Sequence, residues 1–459
     1  MHPLKNPPMK DREVYKTMRN NILYKYGLKA TAFVMAFGLI AGCGKADDAG
    51  SAAVSEKGSR EEQSQTKEDD GAIRAGSFKA ELTARTDAVS GKTSQDNKPE
   101  EEKVSEEETE GLSSVDFVAA MGNGWNLGNE FDAADCDWLS DPMEYEGAWC
   151  KAKAGNELID AVHSAGFDTI RIPVSWHDHM DGAYNIDDKW LARVTEIVDH
   201  AYDSGMYVII DSHHDVTPAY YYPSKDKLEQ SERFMEAVWT RLSDNFKDYG
   251  ERLIFESINE PRLKDTGNEW WYDESQGQCR DAMECIVCCN QVFVDTVRKS
   301  GGNNATRFLM VPSYDDAWQP TVNDSFTLPK DSASDKLIVT AHLYLPYDFA
   351  GNPDGTRTFG ENEKVENEKA LAALEERFVS KGIGVYIGEY GAENKGNNSD
   401  QAAYYAYFPA AARKYGMSCA AWDNNVFETS SASTQGYGIF SYGDAKVVRS
   451  DITDAISGR

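Results

Sequence analysis

The sequence predicts an α/β protein whose folded body is a (β/α)8 TIM barrel, and three observations carry that prediction. Eight short apolar runs succeed one another from residue 112 onward, with helical-period segments between most of them. The stretch 112–459 is long enough for such a barrel with insertions, typically about 250 residues and upward. Nearly every apolar run is followed by polar side chains capable of chemistry, as strand ends at a barrel mouth are. A doubly wound sheet is the rival architecture. It usually shows a glycine-rich phosphate turn after its first strand, and here the first run leads into Asn126-Leu127-Gly128-Asn129-Glu130 instead.

Composition sets the outer limits. The 459 residues are 41% hydrophobic and 11% aromatic, enough to build a core and too rich for whole-chain disorder or a collagen-like fibre. Lys plus Arg number 47 against 77 Asp plus Glu, a net charge of −30. That balance argues against nucleic acid, an acidic substrate or docking on anionic lipid, and leaves neutral or cationic ligands open.

The first element is an address. Lys5, Lys10, Arg12, Lys16, Arg19, Lys25 and Lys29 precede an apolar run, 30–42, that ends at Cys43. The run is shorter than the roughly 20 residues a membrane span needs, so 1–43 reads as a secretory signal. Ile40-Ala41-Gly42-Cys43 resembles a bacterial lipobox, with Cys43 the lipidated residue; an ordinary signal with an incidental cysteine is the alternative. Residues 44–111 are rich in Lys, Glu, Asp, Ser, Gly and Gln, with Phe78 the one aromatic. Such a stretch cannot bury enough apolar surface to offset its ordering entropy and is expected to be a disordered linker. The expectation is an exported protein held outside the cytoplasm by a lipid anchor.

In the body, strands are expected at 122–127, 169–174, 207–211, 253–257, 307–311, 337–342, 385–387 and 418–422. Helices are expected at 156–165, 189–204, 228–248, 281–300, 365–380 and 401–414, several closed by a glycine such as Gly166 or Gly205. Export permits disulfides. Cys136 with Cys150, and one or two local bridges in the Cys279, Cys285, Cys288 and Cys289 cluster, are the expected pairs; with Cys419 the count is odd. Cys285-x-x-Cys288 lacks a second CxxC or a spaced His pair, which disfavours zinc or thioredoxin chemistry.

The strand ends carry the chemistry. In order they offer Asn126, Asn129 and Glu130; Arg171, Trp176, His177 and His179; His213, His214 and Asp215; Asn259 and Glu260; His342 and Tyr344; Glu389 and Tyr390; Trp422, Asp423 and Asn424. Glu260 and Glu389 belong to strands four and seven, which can face each other across a barrel mouth. Two carboxyl groups about 5–5.5 Å apart serve a retaining glycosidase, one as proton donor and one as nucleophile, provided their surroundings separate their pKa values. Arg171 and the Tyr344 hydroxyl are the expected partners of Glu389, and His342 of Glu260, whose own motif offers no cation. Asn259 can donate to a sugar hydroxyl, and Trp422 offers a flat face for a pyranose ring. A glutamate after a strand is alone most often a solvated loop residue; the pair together with Arg171 and His342 shifts the balance. His213 and His214 beside Asp215 raise a metal site as an alternative, but adjacent histidines on a strand end tend to point apart. Trp270-Trp271 and Tyr220-Tyr221-Tyr222 are either sugar platforms or loop packing. His163 and His200 lie in helices and read as ordinary surface or packing residues.

Those motifs, Gly124-Trp125-Asn126-Leu127-Gly128-Asn129, Arg171 to Trp176, His213-His214-Asp215, Phe255 to Arg262, His342-Leu343-Tyr344, Gly388-Glu389-Tyr390-Gly391 and Trp422-Asp423-Asn424, resemble in order and spacing glycoside hydrolase family 5, the cellulase family, and within it the broad β-1,4-glucanases. The resemblance implies Glu260 as acid/base and Glu389 as nucleophile of a retaining endo-β-1,4-glucanase. It also implies that Arg171, His213, His214, Asn259, His342, Tyr344 and Trp422 bind substrate, with no cofactor and no metal. Glu130 and Tyr390 depart from the usual pattern, and Glu130 is expected to add a carboxylate near the cleft. Xyloglucanase, lichenase and β-mannanase activities are alternatives within the family. A non-catalytic glycan-binding lipoprotein and a metal hydrolase are alternatives outside it.

Overall fold

A computed structural model describes residues 111–430 and 434–458. The expected signal, the lipidation site Cys43 and the linker up to residue 110 lie outside the described residues. Within them the chain closes an eight-stranded parallel barrel, β1 (Asn123–Leu127), β2 (Thr169–Ile172), β3 (Tyr207–Ile210), β4 (Leu253–Glu256), β5 (Leu309–Val311), β6 (Leu337–His342), β7 (Gly384–Tyr390) and β8 (Ser418–Asp423), each pairing with the next and β8 returning to β1. The predicted fold and all eight strands are present, with ends shifted by one to a few residues.

The outer helices form for local reasons. Helix Asp188–Asp203 is capped by Asp187, whose side chain accepts from the Lys189 and Trp190 amides. Its buried stripe, Trp190, Leu191, Val194, Ile197, Val198 and Ala201, recurs at helical spacing and faces the barrel. Gly205 then takes φ 92°, which a side chain at that position would resist. His163 and His200 do lie in helices, and His200 pairs with Asp160 at 2.8 Å.

Two features were absent from the sequence reading. Helix Ser114–Ala120 places Phe117, Val118 and Met121 in one cluster with the inward residues Tyr207, Ile209, Ile254, Phe308, Met310, Ile338, Tyr386 and Ala420, plugging the floor of the barrel. At the other end of the chain, a small hairpin, β9 (Phe440–Ser441) with β10 (Lys446–Val447), precedes helix Ser450–Ser457.

The cysteines correct an expectation. Cys136, Cys150, Cys279, Cys285, Cys288, Cys289 and Cys419 are all free thiols. Cys150 Sγ donates to Glu130 Oε2 at 3.2 Å, and Cys136 Sγ to the Ala134 carbonyl at 3.6 Å, so neither turns to the other. The other expected cluster lies on one continuous helix, Gly277–Ser300, where Cys279, Cys285 and Cys289 pack into the core and Cys288 faces out.

Arg307 explains why β5 starts late. Its guanidinium donates to the carbonyls of Phe246, Tyr249, Gly250 and Leu253 and to Asn304 Oδ1, at 2.6–3.1 Å. It thereby ties the turn between the preceding helix and β4 to the start of β5. Arg307→Met removes this set of hydrogen bonds from a buried side chain; the expected loss is on the order of 3 kcal/mol of stability, read as a lower urea midpoint at unchanged slope.

Candidate active site

The uppermost inward layer of the barrel is polar, and Arg171 at its centre is fully buried. Its Nε donates to Glu256 at 2.6 Å, Nη1 to Glu389 Oε1 at 2.9 Å and to Asn126 Oδ1 at 3.0 Å, and Nη2 to Asn259 Oδ1 at 2.8 Å. Asp211 Oδ2 lies 2.8 Å from Nη2. One guanidinium thus faces three carboxylates from β3, β4 and β7. Asn126 extends the layer, donating to carbonyls of Gly388, Ala420 and Ala421 at 3.0–3.3 Å.

Above this layer the two predicted glutamates meet. One oxygen each of Glu260 and Glu389 and a nitrogen of His342 lie within 4.8 Å of one another. His342 Nδ1 is 3.0 Å from Glu260 Oε1 and 3.7 Å from Glu389 Oε2. Tyr344 Oη donates to Glu389 Oε2 at 2.8 Å, as expected. The strand pairing is irregular at both positions, between Ala341 and His342 and between Ile387 and Tyr390, and such bulges re-aim side chains at a barrel rim. Glu260 itself adopts φ 41°, an uncommon conformation for a side-chain-bearing residue.

The surroundings separate the two acids. Burial raises the pKa of Glu389, while His342, Arg171 and the Tyr344 hydroxyl pull it back. For Glu260 burial is outweighed by the His342 hydrogen bond and the charge of Arg262, which take its carboxyl down to about 2. His342 takes up the proton: burial opposes its charge, but Glu389, Asp316 and Glu260 bring it up to about 10. The sequence reading missed Arg262, whose Nη1 lies 3.4 Å from Glu260 Oε2; Glu260 does have a cation in its motif, two residues on.

The remaining predicted residues flank this pair. His213 Nδ1 lies 2.7 Å from Asp211 Oδ2, and burial keeps its pKa well below the usual value, so the imidazole is neutral with Nε2 toward Glu389 at 3.9 Å. Its ring stacks parallel to Trp422, centroids 5.7 Å apart. Because Arg171 occupies Asn259 Oδ1, the Asn259 amide hydrogens are the donors left for a ligand. His214 stands beside Trp149, ring centroids 5.2 Å apart. A Cβ on Gly128 would come within 2.8 Å of the Trp422 ring, so this position admits no side chain without displacing the indole.

Other strand-end residues do different work. His179 stacks on Trp190 at 3.6 Å inside the core, where burial pushes its pKa down to about 3. His177 lies 2.9 Å from Asp215; burial opposes its charge, but bonds to Asp135 and Asp215 bring it up to about 10. Glu130 does not reach the cleft. It is fully buried, accepts from the Ala154 amide at 2.6 Å and from Cys150, and burial lifts its pKa to about 8; it ties down the loop after β1. Asp423 accepts from Trp125 Nε1 and the Phe440 amide, holding the end of β8. Tyr221 is buried packing, whereas Trp270 and Trp271 are exposed, Trp270 with the Arg262 guanidinium 4.1 Å over its ring.

His213 and His214 do not point fully apart: with Asp132 they bring three donor atoms within 4.8 Å, as do Asp135, His177 and Asp178. In each group the histidine already has an aspartate neighbour, Asp211 for His213, Asp132 at 3.7 Å for His214 and Asp215 for His177, so both read as Asp–His pairs. Neither Asp132 nor Glu256 was singled out from the sequence; each stands in or next to a motif that was read for its neighbours.

The family described as "Cellulase (glycosyl hydrolase family 5)" matches residues 131–428. Endoglucanase A of Ruminococcus albus is 36% identical over 356 residues, covering 76% of this chain and 93% of that protein. A family 5 lichenase from Caldicellulosiruptor sp. F32 superposes with a TM-score of 0.74 at 42% identity, over 76% of this chain and 95% of that one. A broad-specificity endoglucanase from Ruminococcus champanellensis with bound cellotriose gives 0.71 at 36% identity, over 75% of this chain and 98% of that one.

Arg171→Met removes the one cation that three buried carboxylates share. The expected destabilisation is about 3–5 kcal/mol near neutral pH. Burial already raises Asp211, to about 6, and Glu389 above their ordinary values, so their ionisation costs stability as pH rises and that cost disappears below the unfolded-state pKa. Urea titrations at pH 4 and pH 8 check this: the gap between the parent and R171M should be small at the lower pH and wide at the higher.

Proposed function

The chain belongs to the cellulase family, glycosyl hydrolase family 5, and from that membership we propose how its cleft works. It is a glycoside hydrolase with endo-β-1,4-glucanase activity. A neutral β-glucan suits a chain of charge −30, and the cellotriose held by a relative is of that class.

Hydrolysis proceeds in two displacements with retention. The observation that carries this is the approach of Glu260 and Glu389 within 4.8 Å around His342. A sugar ring stacks on Trp422, and the Asn259 amide donates to one of its hydroxyls. Glu389, held by Arg171 and Tyr344, attacks the anomeric carbon as the bond to the leaving oxygen breaks. Glu260 gives that oxygen the proton that the Glu260–His342 pair holds. Water then enters, Glu260 takes its proton, and the new hydroxide displaces Glu389 from the anomeric carbon. Each role depends on a different environment: a fixed guanidinium keeps the nucleophile ionisable in a buried place, whereas a titratable imidazole serves the acid. The acid limb of the pH–rate profile then reports ionisation of Glu389, and the alkaline limb loss of the shared proton.

His213, His214 and His342 shape the subsite, which needs no metal or cofactor for this reaction. Lichenase activity stays alongside cellulase activity because a relative of 42% identity carries that name. The protein acts outside the cytoplasm, led there by the 1–43 segment and kept at a membrane through lipidated Cys43, with 44–111 as its tether; the lipobox-like Ile40-Ala41-Gly42-Cys43 supports this.

Glu260→Gln and Glu389→Gln should each lower kcat roughly 10³-fold or more on soluble cellulose derivatives, with fold unchanged. The first product seen by NMR should carry the β configuration; an α product, or near-parental turnover by either variant, overturns the assignment. Cys43→Ser should move the protein from the membrane fraction to the soluble fraction, read by immunoblot of fractionated cells.

A further inference from the structure

The turn after β5 is built against the acid/base loop. Asp315 and Asp316 take φ 58° and 49°, two successive side-chain-bearing residues in the left-handed region, where each is costly to hold. Their turn grips the segment after β4 at three points. Asp316 Oδ2 accepts from the Glu260 amide at 2.7 Å, the Asp315 amide donates to the Pro261 carbonyl at 2.9 Å, and Tyr314 Oη accepts from the Leu263 amide at 3.0 Å. The Glu260 backbone, itself left-handed, is held in place from this side.

Asp316 also faces the imidazole. His342 Nε2 lies 3.8 Å from the same Asp316 oxygen that holds the Glu260 amide, while Nδ1 faces Glu260. Asp316 is fully buried, and its other oxygen, Oδ1, has no hydrogen-bond partner among the described residues. The imidazole therefore sits between carboxylates on both nitrogens. From β4 it meets Glu260, with Arg262 and Glu256 behind; from the β5 turn, Asp316, with Asp315 beside Arg262; from β7, Glu389, backed by Arg171 of β2 and His213 of β3.

We propose that Asp316 is a positioning residue that fixes the Glu260 backbone and, by its charge on the far side of His342, retains the acid's proton as the medium turns alkaline. This rests on the reading of Glu260 as proton donor. The sign follows from electrostatics: a negative charge beside a proton-holding pair raises the pH at which the proton is lost. Burial raises the Asp316 carboxyl well above the ordinary range, against the pull of His342, so its charge develops late.

Asp316→Asn keeps an oxygen for the Glu260 amide and removes the charge; Asp316→Ala removes both. The test is kcat and kcat/KM against pH for the full chain on a soluble cellulose derivative. In D316N the alkaline limb should move down by about one pH unit or more, with the acid limb in place. In D316A kcat should fall a further tenfold or more, a loss that Asn rescues. A D316N profile superimposable on the parent's overturns the proposal. Should D316N not fold, ¹⁵N-histidine NMR of the parent decides: His342, assigned through H342Q, should remain imidazolium above pH 8, and a neutral ring at pH 7 overturns the proposal. Glu260→Gln run alongside separates the two readings. Activity retained in E260Q removes the acid assignment itself, whereas inactive E260Q with an unshifted D316N profile removes only the role of Asp316.

Discussion

One buried guanidinium organises the mouth of this barrel. Arg171 stands where the apolar interior gives way to chemistry, and it is compensated by carboxylates from three strands. Buried charge survives only when paired and hydrogen-bonded, so Arg171 and its acids are mutually obligatory. Asn126 and Asn259 spend their carbonyl oxygens on it, which fixes which way their amides point. The orientation of Glu389 and of the Asn126 and Asn259 amides is thus set by one side chain.

The second organising group is softer. His342 can gain or lose a proton, and it is surrounded by Glu260, Glu389 and Asp316 rather than by a fixed cation. The site combines a permanent charge below with a movable proton above. That division suits a reaction in which one carboxyl must stay ready to attack while the other alternates between giving and taking a proton.

How far the sequence reveals this depends on the kind of interaction. Strand ends are legible, because a short apolar run followed by Asn, Glu, His or Trp at barrel spacing has few other uses; Glu260, Glu389, Arg171, His342 and Tyr344 converge as that logic requires. Contacts made by turns are not legible. Nothing in Tyr314-Asp315-Asp316 says that its backbone turns left-handed, and only that turn brings Asp316 to Glu260. His177, His179 and Glu130 show the opposite failure: they stand at strand ends but point outward, into ion pairs, ring stacks and loop ties. A period of two along a strand cannot say which residue past its end still faces the axis. The cysteines mislead for a related reason, since spacing along the chain does not reveal that four of them share one helix.

Helix Ser114–Ala120 has a directional consequence. It stoppers the barrel at the end opposite the mouth, and every parallel strand runs away from it. The first described residues, Gly111–Ser113, therefore lie at the closed end, and the full depth of the barrel separates them from the opening where Glu260 and Glu389 stand.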